Sequence, residues 1–265
     1  MAGRCTAWCR DGTARHLMQA GFRFWQRLKN RAARQAWGMA SDGDGWALVG
    51  LTLERAVGVR VLAMERIETA ASGPSAGNFS EGLRPLAAQS VRAGQRLNVA
   101  LDANDTVAGM LELPAHLRPQ DWAAEVQTEV SQLLGLGPDE VSFDFQRDPL
   151  TEGLLSRVHW VGCDLGLIQK LQAHARAAGW QLHSVEPAWH AAHRAACHLR
   201  GGLSSLLTQS PQDWQFDLSP NAPDTLPLLP VQQEFGPGLA LRQAMHSSAG
   251  PRLVASGLAL KAWLG

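Results

Sequence analysis

The sequence predicts a mixed α/β fold, and three observations support this. The clearest is a consecutive strand, helix, strand and helix in the C-terminal half. Residues 158–163 are β-branched and aromatic, and apolar residues recur at helical spacing over 165–178. Gly179 fits a left-handed helix end, residues 180–185 re-extend, and Pro187 suits the first turn of the next helix. The second observation is the set of paired β-rich runs further upstream. The third is that 45% of the 265 residues are hydrophobic, which is enough for a sizeable core.

The N-terminal 40 residues differ in charge from the rest of the chain. They carry eight basic side chains and one acidic one, although the net charge of the whole chain is zero. Helical periodicity over 17–36, with aromatic and basic sides, predicts a basic amphipathic helix. Such a helix can lie on an anionic membrane surface, and residues 15–36 are the candidate segment for that contact. A helix docked on the acidic body, a disordered tail and an extension read from the wrong start codon are the alternatives.

The elements that follow alternate between strand and helix patterns. Ser-Asp-Gly-Asp-Gly at 41–45 predicts a linker. Residues 46–53 and 57–65 predict a hairpin, residues 83–92 a helix, and residues 96–101 and 107–113 a second strand pair.

Pro119 and Asp121 predict the start of a further helix. Residues 141–146 alternate in character and predict a strand. The predicted apolar side of the helix consists of Trp122, Val126, Val130, Leu133 and Leu134.

These segments together resemble a known family. The strand pair ends in Leu-Glu-Leu-Pro at 111–114, an acidic helix opens near Asp121, and a strand ends in Asp-Phe-Gln at 144–146. Ala-Ala-Gly-Trp, Val-Glu-Pro and Ala-His-Arg-Ala segments follow, and the chain ends near Gly-Leu-Ala-Leu-Lys at 257–261. This order is similar to the PilM family of actin-like proteins in type IV pilus assembly. The resemblance covers roughly residues 46–200 and the last dozen residues.

The resemblance implies an α/β fold whose first lobe is actin-like (ribonuclease H-like) and carries an inserted α+β subdomain. Only about 65 residues follow Arg200, and five prolines lie between Pro211 and Pro230, so we expect a truncated second lobe. The predicted units are a basic arm with linker (1–44), the first part of the lobe (45–96), the inserted subdomain (97–181), the return to the lobe (182–203) and a proline-rich, reduced C-terminal part (204–265).

The function implied by the resemblance is a non-catalytic cytoplasmic scaffold, peripheral to the inner membrane. Its partner would be the cytoplasmic peptide of a PilN-type inner-membrane protein, held as an added strand or in a groove beside residues 107–113. Leu111, Leu113 and Pro114 are the candidate partner-binding residues. The alternatives are an ATP-binding actin-like ATPase and a cytoplasmic module of a type II secretion system.

The expected nucleotide loops are degenerate in this sequence. Members of the actin-like class have an Asp-Ile-Gly-Ser type turn between two strands, where glycine lets backbone amides approach a phosphate. We align that turn with residues 50–55, where Gly50, Thr52 and Glu54 form a vestigial loop without the aspartate. Gly201 and Gly202 fit a helix end better than a nucleotide loop. We therefore expect no cofactor, and in particular no useful binding of ATP.

One helical stripe carries residues of the kind that bind zinc. Glu186, His190, His193 and Cys197 recur along one side of a predicted helix. Eleven residues of helix extend about 16.5 Å, so the four cannot converge on one ion. We expect no metal, with His190, His193 and Cys197 as the candidates if one binds.

Other functional classes have little support in the sequence. Neither a nucleophile elbow nor a glycine-rich P-loop stands in it, so we name no catalytic residues. The body is acidic and lacks a nucleic-acid module, which argues against a nucleic-acid partner. No apolar run approaches the roughly 20 residues that span a bilayer, and the N-terminus lacks a secretory segment, so we expect a cytoplasmic protein.

Overall fold

The fold was analysed in a computed structural model. The described residues are 35–43, 45–54, 58–68, 79–89, 95–147, 154–218 and 237–264. The predicted amphipathic helix and membrane-contact segment up to residue 34 lie outside them.

Nine strands and seven α-helices lie within the described residues. The strands are β1 (Gln35–Asp42), β2 (Gly45–Glu54), β3 (Gly58–Glu68), β4 (Gln95–Leu101), β5 (Val107–Pro114), β6 (Val141–Arg147), β7 (Leu155–Asp164), β8 (Trp180–Pro187) and β9 (Gln215–Phe216). The helices are α1 (Ser80–Gln89), α2 (Pro119–Leu134), α3 (Leu165–Ala177), α4 (Ala188–His198), α5 (Ser205–Thr208), α6 (Pro237–Met245) and α7 (Gly250–Leu264). The chain is therefore mixed α/β.

Six strands form the large sheet, in the order β8-β4-β1-β2-β3-β9. β1, β2 and β3 are antiparallel neighbours, whereas β4 runs parallel to β1 and β8 runs parallel to β4. Helices α1 and α3 cover one face, and α4 and α7 cover the other. Because both faces are buried, β2 and β4 read as near-continuous apolar runs in the sequence.

Three strands form a second, antiparallel sheet in the order β5-β7-β6. Its strands and α2 are contributed by the chain between β4 and α3. Trp122, Val126 and Val130 of α2 pack on one face against Val158 and Trp160 of β7. The helix ends at Gly135, whose φ of 65° lies in the left-handed region that favours glycine.

Several local predictions are confirmed. β7, α3, β8 and α4 follow each other as predicted, and Gly179 has a φ of 81°. β2 and β3 form the predicted hairpin, and the predicted helix after Pro119 is α2. The expected contribution of Leu133 to its apolar side is wrong, because that side chain is 57% exposed.

The predicted linker at 41–45 is wrong, and the predicted arm extends too far. Residues 35–42 form β1, which lies between β2 and β4 inside the large sheet. Ala36, Met39 and Ala40 are buried there. From sequence alone, the basic charge of residues 1–40 and the Ser-Asp-Gly-Asp-Gly run assign this segment to the arm and the linker. The strand is held by pairing with β2 on one side and β4 on the other, which local charge and turn signals do not reveal.

The predicted pairing of residues 96–101 with 107–113 is also wrong. β4 pairs with β1 and β8 in the large sheet, whereas β5 pairs with β7 in the second sheet. A short 3₁₀ turn, Ala103–Asp105, separates them. The expected inserted unit at 97–181 is therefore too wide, because β4 and α3 both pack in the core of the large sheet.

The C-terminal helix packs closely on the large sheet. A Cβ atom placed on Gly257 of α7 would lie 1.8 Å from the Ala191 carbonyl oxygen of α4. One placed on Gly38 of β1 would lie 2.0 Å from the Ala255 carbonyl oxygen of α7. Residues near 203–218 and 241–245 join the same core. The described part of the chain after residue 200 thus packs on the large sheet, and the truncated second lobe stays a prediction.

Candidate partner-binding edge of the second sheet

β5 is an edge strand whose side chains alternate between two environments. Its odd-numbered residues face α2, and Leu113 is buried there with only 9% of its surface exposed. The even-numbered residues Ala108, Met110 and Glu112 face the open side of the sheet, where Met110 is 46% exposed. Within the described residues, the strand paired with β5 is β7, on one side only.

The hydrogen-bond phase of β5 follows from one contact at its end. The Ala115 backbone N–H donates to the Leu154 carbonyl oxygen at 2.8 Å, continuing the β5–β7 register by one pair. Bonded and non-bonded pairs alternate in an antiparallel ladder, so odd-numbered residues of β5 bond to β7. Ala108, Met110 and Glu112 therefore direct their backbone N–H and C=O groups away from β7, toward the open edge.

Pro114 marks the end of this open edge. It has no backbone N–H, and its carbonyl oxygen accepts a hydrogen bond from the Leu117 N–H at 3.1 Å. Another strand can therefore pair with the outward-directed backbone groups within residues 108–112. We refer to residues 108–112 as the β5 edge.

The other sheet edges carry features that discourage strand addition. On β6, the Asp144 carboxylate accepts a hydrogen bond from the Phe145 backbone N–H at 2.8 Å. β3 has a register shift opposite Gly50 and Leu51, and it is partly covered by β9. β8 ends with a buried Glu186. Bulges, charges and coverage are the usual protections of edge strands. The β5 edge has a continuous register and a single charge, Glu112.

The three predicted partner-binding residues occupy different positions from those expected. Leu111 and Leu113 both turn toward the core under α2, and Pro114 closes the edge. Charging Leu113 would therefore disturb the core as well as any partner. Ala108, Met110 and Glu112 were not predicted as site residues, although strand alternation could have placed them on the opposite face. Contact with a partner stays a prediction for all of them.

The assignment of the vestigial phosphate loop to residues 50–55 is wrong. Gly50, Thr52 and Glu54 lie within β2, and a Cβ on Gly50 would come within 2.6 Å of the Trp37 ring. Within the described residues, β1 and β2 are joined at a turn where Asp42 ends β1 and Gly43 follows with a φ of 62°. An acidic residue and a glycine thus stand at the β1–β2 turn, where a linker was predicted. The error follows from missing β1.

The carboxylates near this turn already have protein partners. Asp42 lies 3.6 Å from the Arg66 Nε atom, measured from Oδ2. Asp102 follows β4 and accepts a hydrogen bond from the Ser41 hydroxyl at 2.7 Å. Burial and the neighbouring Asp102 charge raise the pKa of Asp105 above its ordinary value. The carboxyl ends of the parallel strands β1 and β4 thus carry a small cluster of polar side chains. Open α/β sheets commonly bind ligands at the carboxyl ends of their strands.

Glu186 lies at the end of β8 in a buried ionic cluster. Its carboxylate accepts hydrogen bonds from Arg194 Nη2 at 3.1 Å and from Lys261 Nζ at 2.9 Å. Arg194 also donates to the Gly257 carbonyl oxygen at 2.9 Å. Burial alone raises the pKa of Glu186, but the charges of Arg194 and Lys261 outweigh it and lower the pKa below its ordinary range. The cluster joins β8, α4 and α7.

The candidate metal ligands do not converge. His193 and Cys197 lie together on α4, with 3.7 Å between Nδ1 and Sγ, whereas the His190 ring lies against the Trp189 ring at a tilt of 41°. Burial raises the pKa of the Cys197 thiol and lowers that of His193. No group of three or more potential metal ligands occurs within the described ranges.

Gly201 and Gly202 follow the end of α4 in left-handed conformations, with φ of 84° and 63°. This geometry fits the predicted helix end. Among the helices that the structure describes, none is both long and apolar enough to cross a bilayer.

Comparisons with known proteins give distant structural likenesses. No family model matches the chain, and no curated protein sequence matches it significantly. The cytoplasmic domain of EpsL, an inner-membrane component of the type II secretion system of Vibrio cholerae, is 16% identical over 59% of this chain and 58% of that chain, with a TM-score of 0.42. A chain of a PilM–PilN type IV pilus biogenesis complex is 16% identical over 62% of this chain and 53% of that chain, with a TM-score of 0.48.

This chain therefore spans little more than half the length of either protein. At 16% identity and TM-scores of 0.42 and 0.48, neither likeness establishes a shared function.

Proposed function

We propose that this protein is a non-catalytic cytoplasmic scaffold of type IV pilus assembly. It binds the cytoplasmic peptide of a PilN-type inner-membrane protein along the β5 edge. The observation that carries the proposal is the β5 edge itself, whose outward backbone groups lie in a regular register with little edge protection. The sequence resemblance to the PilM family supplies the class of partner.

Strand addition suits this edge physically. An added strand satisfies backbone donors and acceptors, and alternate side chains on either face supply specificity. Ala108, Met110 and Glu112 each offer one N–H and one C=O. The rigid sheet behind the edge also lowers the ordering cost of binding, because β5 is held by β7 and α2 before the partner arrives.

The test is a titration with a synthetic peptide of the cytoplasmic segment of a PilN-type protein. Met110→Pro removes an outward N–H without removing a β5–β7 hydrogen bond, so the fold should tolerate it. We expect this variant to lose about tenfold or more in affinity. Met110→Ala, which keeps the N–H, is the matched control and should bind within about threefold of the parent protein. If the proline variant and its control bind the peptide with equal affinity, the β5 edge is not the binding site.

ATP binding is the second candidate, because the β1–β2 turn contains Asp42 and Gly43 at the end of a central strand. In favour of the non-catalytic function, Asp42 already lies near Arg66 and Asp102 accepts from Ser41. Calorimetry with ATP and Mg²⁺ decides between the two. Micromolar affinity that disappears in Gly43→Val would favour the ATPase.

Membrane association is proposed to reside in residues 15–36. Sedimentation with vesicles containing anionic lipid should recover the full chain, and deletion of residues 1–34 should abolish the recovery. Affinity for the PilN-type peptide should be the same in both forms. Equal sedimentation of both forms would place the membrane contact elsewhere.

A further inference from the structure

We infer, on the basis of the proposed function, that the partner segment adds antiparallel to β5 in one register, centred on Met110. Read from its N-terminus, the segment carries a basic residue opposite Glu112, apolar residues opposite Leu111 and Met110, and a large apolar residue opposite Gly109. This defines the recognised sequence by its chemistry.

The backbone of β5 determines which peptide residues make hydrogen bonds. Ala108, Met110 and Glu112 direct both backbone groups outward, whereas Gly109 and Leu111 bond to β7. In an antiparallel ladder, the residue opposite each outward-directed residue exchanges two bonds with it. The first, third and fifth peptide residues therefore bond to the edge, and the second and fourth direct their backbone N–H groups away from it.

Glu112 selects the charge of the first peptide residue. Its side chain is exposed on the open face. The Arg157 Nε atom of β7 lies 3.2 Å from the Glu112 Oε1 atom. Neighbouring strands lie about 4.8 Å apart, so an added residue is one strand spacing from Glu112 and two from Arg157. The nearer negative charge therefore dominates, and a basic residue makes a favourable cross-strand pair.

Gly109 selects the size of the fourth peptide residue. The Trp160 ring lies across this glycine, since a Cβ placed on Gly109 would be 2.4 Å from the ring. The added residue opposite Gly109 consequently has no β5 side chain beside it, so a large side chain meets no steric conflict there. Trp160 already covers the glycine and is itself only 1% exposed, so a large apolar side chain packs beside Leu111 on the same face of the sheet. Met110, 46% exposed, provides apolar contact for the third residue.

The probe is a synthetic peptide, Arg-Val-Leu-Phe-Thr, with Gly-Ser at both ends and a fluorescent label. A backbone N-methyl scan of this peptide tests the register. Methylation of Arg, Leu or Thr should weaken binding by about tenfold or more, because it removes a donor that faces β5. Methylation of Val or Phe should change it less than about threefold, because those N–H groups face away.

A charge swap tests the pairing with Glu112 independently. The parent protein should prefer the Arg peptide over its Glu analogue, and Glu112→Gln should abolish most of that preference. Glu125→Gln, an exposed residue of α2, is the matched control and should keep the preference. Circular dichroism establishes that each variant is folded.

The outcomes separate this inference from the proposed function. If methylation of Val or Phe weakens binding and methylation of Arg, Leu or Thr does not, the proposed register is wrong although the β5 edge remains the site. The same conclusion follows if the preference for the Arg peptide persists in Glu112→Gln. Failure of both this probe and the PilN-type peptide to bind overturns both. A dimer of this chain that Met110→Pro dissociates, and that the peptide does not, would identify a second copy as the occupant and overturn the peptide register.

Discussion

Replacing Glu186 by glutamine should destabilise the protein strongly. Glu186 is 5% exposed and neutralises two cations on different helices. The side chains of Arg194 and Lys261 are only 12% and 26% exposed, so both charges would be left largely buried without an anion. Breaking a buried ion pair from one side costs about 3–5 kcal/mol. Against a total stability of about 5–15 kcal/mol, that loss is large.

The assay is urea unfolding followed by tryptophan fluorescence, since Trp180 and Trp214 are fully buried reporters. Glu112→Gln is the control, because its pair with Arg157 is about half exposed and should contribute only about 0–1 kcal/mol. Equal losses of unfolding free energy in the two variants would refute the reasoning.

The pH dependence of the same variant provides a second test with a definite sign. The pKa of Glu186 is lower in the folded state than in the unfolded chain, so its stabilising contribution is fully present above the unfolded pKa of about 4.3. The contribution is lost as the pH falls below that value. The difference in unfolding free energy between the parent and Glu186→Gln should therefore be constant from pH 6 to 7.5 and shrink at pH 3. A difference that grows on acidification would contradict the assignment.

Four further substitutions probe the packing, each measured by the same urea unfolding. Leu171→Ala should cost about 2–5 kcal/mol, because Leu171 is 3% exposed, and a cost under about 0.5 kcal/mol would contradict its burial. Gly257→Ala should cost about 1–3 kcal/mol, since the added Cβ meets the Ala191 backbone; a gain of about 1 kcal/mol, as ordinarily expected in a helix, would show that the contact is looser. Leu113→Ala should cost about 2–5 kcal/mol and Met110→Ala less than about 1 kcal/mol, whereas equal costs would mean that the two faces of β5 are assigned wrongly.

The sequence by itself predicted the elements that depend on near neighbours in the chain. Apolar spacing and the glycine at 179 predicted β7, α3, β8 and α4, and the proline at 119 with periodic apolar residues predicted α2. These signals are read within a few residues, because helix periodicity, caps and turns are local properties.

Only the tertiary structure decided the placements that depend on distant partners. Residues 35–42 form a strand because β2 and β4 pair with them on both sides, and this pairing places the β1–β2 turn directly after Asp42, at Gly43. Likewise, β4 and β5 are close in sequence but pair in different sheets.

The candidate site depended most on such long-range pairing. Alternation in the sequence separates Leu111 and Leu113 from Met110 and Glu112, but it does not say which set faces a core. That choice follows from α2 packing on one face and from the register with β7, which also decides which backbone groups face outward. Because side chains and backbone bonds both alternate with a period of two, a shift of one residue would exchange every role along the β5 edge.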